Sequence, residues 1–277
     1  MDLPKIKLGG KEVSRLICGG NPIGGWSHMG MEKDAEMVKY YTMENIHKLL
    51  AECEKNGINT IQTRGDWLFF RIMLEYWEKG GKIQWIGQTA SELKDLTVNI
   101  KQIKTYNPVA VYHHGTDTDN RYHEGKLDEV ADIIKCIKDN GMTAGLGTHI
   151  PEVIEYAEEK GWETDFYMGC FYNLARKKKP VQAALVGKEK DNVEEVYVKE
   201  DPDRMTAVMR AVNKPCLGFK ILAAGRSCGS EDEVKKAFKY AFDNLKKEDA
   251  VVVGMYQKFS NQVMENAEIV RELLRGN

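Results

Sequence analysis

The sequence predicts a single (β/α)8 barrel, and two observations predict it. Eight short apolar runs alternate with stretches whose apolar residues recur at helical spacing. The phrase "helix, KNG, strand" at 55–61 also returns as "helix, DNG, strand" at 139–146. Strict βα alternation builds a parallel sheet, and eight such units close it into a barrel. A length of 277 residues suits one such barrel, and no Pro/Gly/Ser-rich linker marks a second unit. Residues 1–277 are therefore read as one domain.

The runs are RLICGG (15–20), NTIQT (59–63), IQWIGQT (83–89), VAVYHH (109–114), TAGLGTH (143–149), DFYMGCFYN (165–173), CLGFKILAAG (216–225) and AVVVGMY (250–256). They are short and mostly apolar, as strands buried on both faces are. Between them, MENIHKLLAECEKNG, KLDEVADIIKCIKDNG, IPEVIEYAEEKG, DEVKKAFKYAFDNL and NQVMENAEIVRELL set apolar residues on one helical face. Gly57, Gly141 and Gly161 stand where such helices end. One connection breaks the rhythm. The stretch between the sixth run and the helix PDRMTAVMRAV is too long for an ordinary βα loop, and 175–200 is expected to cover the mouth as a lid. Within it the basic run from Arg176 to Lys179 reads as solvated loop.

Composition narrows the partners. A net charge of −2 supplies no field that draws nucleic acid or a membrane surface, so neither is expected. No stretch approaches the ~20 apolar residues that cross a bilayer, and MDLPKIKLGGKEV lacks the apolar core of a signal peptide. Six dispersed cysteines without a CxxC pair fit reduced thiols, hence a cytoplasmic protein. A small-molecule substrate is the expected partner, and a homo-oligomer is left open.

Barrel enzymes build their sites at the C-terminal ends of the strands. Those ends carry Asn21, Trp26 and His28; Gln62, Arg64, Asp66 and Trp67; Gln88; His113, His114 and Asp117; and Thr148 and His149. The later strands add Cys170, Tyr172 and Asn173, then Lys220 and Arg226, then Tyr256 and Gln257. His47 in a helix and His123 in a polar loop read as surface residues. In YHHGTD (112–117) the two histidines cannot face the same way, because side chains alternate along a strand. One lines the lumen and the other packs against a helix. Lys220 interrupts an apolar run, where a lysine is costly unless it faces a polar lumen or pairs with an acid such as Asp66 or Asp117. A desolvated lysine there could serve as a base or a Schiff-base nucleophile.

Six segments in order resemble the aldo-keto reductases across most of the chain. LGGKEVSRLICGGNPIGGW is similar to that family's opening hairpin and first strand, and NGINTIQTRGDW to its "G-I-N-x-x-D-T" segment. YHHGTD resembles "H-R-P-D", CFYNL resembles "Y-N-L", and GFKILAAGR sits like "Y-S-P-L-G-x-G". VVVGMYQKFSNQVMENAEI resembles the terminal segment at the cofactor's phosphate end. The resemblance implies NADPH-dependent carbonyl reduction by aspartate, tyrosine, lysine and histidine, and three of those positions differ here. Gln62 stands for the aspartate, Trp67 for the tyrosine and Gln88 for the lysine, while His114 matches the histidine. Thr148–His149 replaces the Ser-Asn pair that holds the nicotinamide carboxamide, and Gly169 the strand-six glutamine. Phe219 could still stack on the ring, and Arg226 is the other cofactor-binding candidate. NADPH is expected to bind weakly or not at all.

Three functions follow. The first is proton-transfer chemistry, lyase- or isomerase-like, on a small carbonyl or sugar, carried by His114, His149, Lys220, Asp66 and Arg64. Asn21, Trp26, His28, Gln62, Trp67, Gln88, Tyr172, Asn173 and Tyr256 shape its substrate site, and a divalent metal on His114 and His149 is left open. The alternative is an atypical NADP-dependent oxidoreductase with Tyr172 or Lys220 as proton donor. The last is a non-catalytic barrel that binds a ligand.

Overall fold

The computed structural model describes residues 3–176 and 195–275. The chain opens with an antiparallel hairpin of β1 (Lys5–Leu8) and β2 (Lys11–Ser14). Then come β3 (Leu16–Gly19), α1 (Asn21–Gly24), α2 (Met31–Tyr40), α3 (Met43–Lys55), β4 (Thr60–Arg64), α4 (Trp67–Glu78), β5 (Gln84–Gln88) and α5 (Leu96–Lys104). The middle holds β6 (Ala110–His113), α6 (Gly115–Glu124), α7 (Glu129–Asp139), β7 (Ala144–Thr148), α8 (Pro151–Glu159) and β8 (Phe166–Cys170). After the undescribed stretch follow α9 (Asp201–Ala211), β9 (Cys216–Phe219), α10 (Glu231–Asn244), β10 (Ala250–Gly254) and α11 (Gln262–Leu273). Strands β3 to β10 form a closed parallel barrel, sealed where β10 pairs with β3 from Val251↔Leu16 to Gly254↔Gly19.

Two apolar clusters hold it. Ile17, Ile86, Ala110, Tyr112, Phe166, Met168, Leu217 and Val252 fill the lumen, and Ile6, Leu8 and Val13 of the hairpin join them. The larger cluster lies between strands and helices. Helix α3 shows why: Ile46, Leu49, Leu50 and Cys53 fall on one stripe at i, i+3, i+4 and i+7, and all four are buried. Each such aliphatic side chain contributes about 1.5–3 kcal/mol by leaving water. Five of the helices start at side-chain caps, Thr42, Asp66, Asp95, Ser230 and Asn261. Gly57, Gly141 and Gly161 follow α3, α7 and α8 with φ of 80°, 76° and 65°, as their places in the sequence led one to expect.

Three local expectations change. The polar stretch after β6 is helix α6 and not a loop, bounded by Gly115 and the left-handed Gly125 and carrying the i,i+4 pair Arg121–Asp117. His123 therefore lies on a helix, with its ring nitrogen 2.5 Å from the Ala175 carbonyl. The run 216–225 is a strand only to Phe219; Lys220, Ala223 and Ala224 take left-handed φ of 58°, 47° and 52°, which ends the pairing. Residues 177–194, most of the expected lid, lie outside the described residues. Among the described residues no helix is long and apolar enough to cross a membrane.

Candidate active site

The C-terminal ends of the strands surround a cavity of about 1090 Å³. Its floor comes from alternation in the barrel wall. Gln62, Gln88 and Tyr112 occupy inward positions on β4, β5 and β6, and their registers bring them together. The Tyr112 hydroxyl accepts from Gln62 Nε2 at 2.8 Å and donates to Gln88 Oε1 at 2.6 Å. Burial raises the pKa of that phenol well above its ordinary value. The floor is thus a neutral, mutually satisfied set.

The two adjacent histidines part company as the alternation demands. His113, the outward residue, is fully buried, with Nδ1 3.0 Å from Thr89 Oγ1 and Nε2 2.8 Å from Asp117 Oδ2. Its burial favours the neutral ring and lowers its pKa, while the imidazole in turn draws the Asp117 carboxyl down to about 2. His114, one residue on, lines the cavity, with Nδ1 held 2.6 Å from Ser91 Oγ. Burial, and then the charges of His113, Arg64 and His149, lower His114 to about 4.

His149 takes the opposite course. It follows the end of β7, where Gly115 lets α6 lie close: a Cβ at Gly115 would come within 3.2 Å of the Thr148 backbone nitrogen. That approach delivers Asp119, buried on α6, to His149 Nδ1 at 2.7 Å, to the His149 backbone nitrogen at 3.2 Å and to the Thr148 hydroxyl at 2.5 Å. Burial alone lowers a histidine; here the Cys170 sulfur and the Asp119 carboxylate outweigh it and push His149 up to about 9. The ring stands edge-on to Phe219 at 5.4 Å.

Cations complete the ring. Arg64 lines the cavity, stacked on Trp26 at 5.1 Å and braced by Asp66 at 3.0 Å and by Glu92. Lys220 lines it too, and its left-handed backbone sits opposite another strained residue, His28, with φ of 59°. His28 Nδ1 is 2.8 Å from Glu195 Oε1, and Tyr197 donates to Glu195 Oε2 at 2.8 Å. Against the burial that opposes it, His28, Lys220 and Tyr197 bring the Glu195 carboxyl down to about 2. Asp66 and Asp117, considered as Lys220 partners, are engaged by Arg64 and by His113 with Arg121.

Of the residues expected at the mouth, Asn21, Trp26, His28, Gln62, Arg64, Gln88, His114, His149, Phe219, Lys220 and Tyr256 line this cavity. Five lie elsewhere. Trp67 is 73% exposed, because the buried stripe of α4 is Phe69, Phe70, Ile72 and Met73. Asp66 caps α4 through Phe69 N at 3.2 Å. Tyr172 packs on Tyr197 at 5.0 Å, Arg226 lies over Tyr197 at 4.1 Å, and Asn173 lines a separate small cavity. Gly169 faces the wrong way for a cofactor contact: a Cβ there would meet the sulfurs of Met205 and Met209 on α9. Among the described residues no group of three His, Cys, Asp or Glu gathers that could hold a metal; the Nδ1 atoms of His114 and His149 are bound to Ser91 and Asp119. Asp119 and Ser91 escaped the sequence reading; the only signal for the former was the helical i,i+4 pair Asp117–Arg121 around it.

Neither a protein-family model nor a curated protein matches the sequence. Solved structures do match. An aldo-keto reductase from Bacillus halodurans, in its holo form, superposes with a TM-score of 0.59 at 13% identity, over 97% of this chain and 91% of that one. A truncated 3-deoxy-D-arabino-heptulosonate 7-phosphate synthase from Thermotoga maritima superposes with a TM-score of 0.57 at 12% identity, over 99% and 92%. The likeness shows the barrel. A reductase and a synthase match alike, so it does not single out the reductases that the sequence segments resemble.

Proposed function

We propose that the protein is a barrel enzyme that moves protons on a small carbonyl or sugar-type substrate, with a lyase- or isomerase-like outcome. One observation carries this reading. Two imidazoles line the same cavity, His114 held at about 4 and His149 pushed to about 9. Titratable groups driven apart by their surroundings mark acid/base assignments. Near neutral pH, His114 is a free base facing the His149 imidazolium, Arg64 and Lys220.

That array suits formation of an enolate. His114 takes the proton from the carbon beside the carbonyl, and the positive wall receives the charge that grows on oxygen. The same charge, appearing beside the imidazole, raises its basicity as the proton moves. His149 acts as a fixed cation oriented by Asp119, and Lys220 polarises the carbonyl or condenses with it. Gln62, Gln88 and Tyr112 hydrogen-bond one another below and donate no proton.

A second reading keeps one observation. The cavity continues past Phe219 to Glu265 and Asn266, in the segment that resembles the reductases' cofactor end. It supports an atypical NADP-dependent oxidoreductase. One experiment separates the two. Purified protein is incubated in D2O with a panel of small ketoses, α-hydroxy aldehydes and sugar acids, with and without NADPH. Exchange of the carbon-bound proton by NMR, lost in His114→Gln and indifferent to NADPH, is the expected result. Oxidation of NADPH without any exchange would put the oxidoreductase first. Borohydride added to the reacting mixture tests Lys220 separately, by a mass increment on its peptide.

A further inference from the structure

Cys170 takes no part in the proton-transfer reading, yet its setting is that of a working thiol. It is the last residue of β8, fully buried, and lines a cavity together with His149. The register Thr148↔Gly169 makes the two neighbours across adjacent strands. His149 Nδ1 is held by Asp119 at 2.7 Å, so a carboxylate orients the imidazole that neighbours Cys170. Nucleophile, imidazole and orienting carboxylate in that order form a general arrangement that activates a thiol. Cys170 is not sealed in. It lines a second cavity of about 170 Å³, together with His149, Asn173, Arg176, Asp201 and Arg204. That volume holds several water-sized molecules, each of which needs ~30 Å³. His149 also lines the large cavity, so the thiol stands directly behind the candidate active site.

We infer that Cys170 is a peroxide-modifiable thiol, activated by the His149–Asp119 pair and filled from the small cavity behind β8. The co-reactant is a hydroperoxide, little larger than water. As sulfur attacks one peroxide oxygen, an S–O bond forms and the O–O bond breaks. The leaving hydroxide takes the Nε2 proton of the His149 imidazolium and departs as water, and the S–H proton passes to that nitrogen in its place. Sulfur loses two electrons to the peroxide and becomes a sulfenic acid. Oxidation at this position adds an oxygen to the thiol that neighbours His149, which couples the modification to the candidate active site.

The chain contains its own control. Cys216 is equally buried but sits beside Lys246 Nζ at 3.7 Å instead of an imidazole, and burial chiefly pushes its thiol up to about 12. The native protein is treated with limiting hydrogen peroxide, quenched, unfolded and alkylated, and the thiol remaining on each cysteine peptide is read by mass. Loss of the Cys170 thiol at least about ten-fold faster than that of Cys216 is expected, and Asp119→Asn should erase most of the difference. Equal rates at the two cysteines in the unaltered protein, or a fast Cys170 that Asp119→Asn leaves unchanged, overturn the inference. The readout is mass and not turnover, so the result stands whether or not the proton-transfer reading does.

Discussion

Asp119 Oδ2 lies 2.7 Å from His149 Nδ1 while Oδ1 takes the Thr148 hydroxyl at 2.5 Å, so one buried carboxylate on α6 orients both residues at the end of β7. Replacing it should disturb charge and position together. Asp119→Asn is expected to lower proton exchange at least about ten-fold, and to cost about 1–3 kcal/mol of stability as buried donors lose an ionic acceptor. Exchange rates and chemical denaturation measure the two effects. Full exchange with the stability loss alone would leave Asp119 a purely structural residue.

Stability should depend on pH in opposite senses for the two cavity imidazoles. His114 falls from 6.5 to about 4 on folding, so the native state binds fewer protons in that window, and stability is lost as pH drops through it. His149 rises from 6.5 to about 9, so its contribution is complete below 6.5 and is lost as pH climbs through 9. Melting temperature is expected to peak near the shared starting value. His149→Gln should flatten the alkaline limb, and His114→Gln the acidic one. A melting temperature that climbs steadily to the alkaline end contradicts the His149 assignment.

His113 and His114 should separate stability from activity. His113→Ala removes a fully buried ring bonded to Thr89 and Asp117, and is expected to cost about 1–3 kcal/mol. His114→Ala opens onto the cavity and should abolish exchange while changing the melting temperature little. Denaturation curves beside exchange rates decide between this pattern and its reverse.

Tyr112→Phe tests the neutral floor. The change leaves Gln62 Nε2 and Gln88 Oε1 without their shared partner, at an expected cost of about 1–2 kcal/mol. Proton exchange should survive. Its complete loss in a folded variant would make the phenol a proton donor and revive the reductase mechanism.

NADPH should bind no tighter than micromolar. The polar groups of Thr148 and His149 are committed to Asp119, and position 169 points at Met205 and Met209. Fluorescence titration reads it directly, and submicromolar affinity would favour the oxidoreductase.

The architecture was legible because it is local. Short apolar runs and period-3.6 stretches, with glycines after α3, α7 and α8, place strands and helices within a few residues. Alternation along β6 was enough to send the two histidines opposite ways, and the resemblance to the reductases chose His114 for the cavity. What failed were statements about the chain just past a strand end. Trp67 was placed at the mouth because it stands where the reductases have their tyrosine, yet the buried stripe of α4 turns it to solvent. Lys220 was read as strand, yet the backbone leaves the sheet at Phe219 through a left-handed turn.

Amino-acid order by itself determined that eight βα units close into a barrel with a polar rim, because hydrophobic periodicity is written residue by residue. Only the tertiary structure decided which rim residues meet. Asp119 reaches His149 across 30 positions, and Cys170 reaches it from the next strand, because helix packing and strand register bring together residues that no local pattern links. The separation of His114 from His149 in protonation arises there too, since burial and neighbouring charges are properties of the assembled cavity.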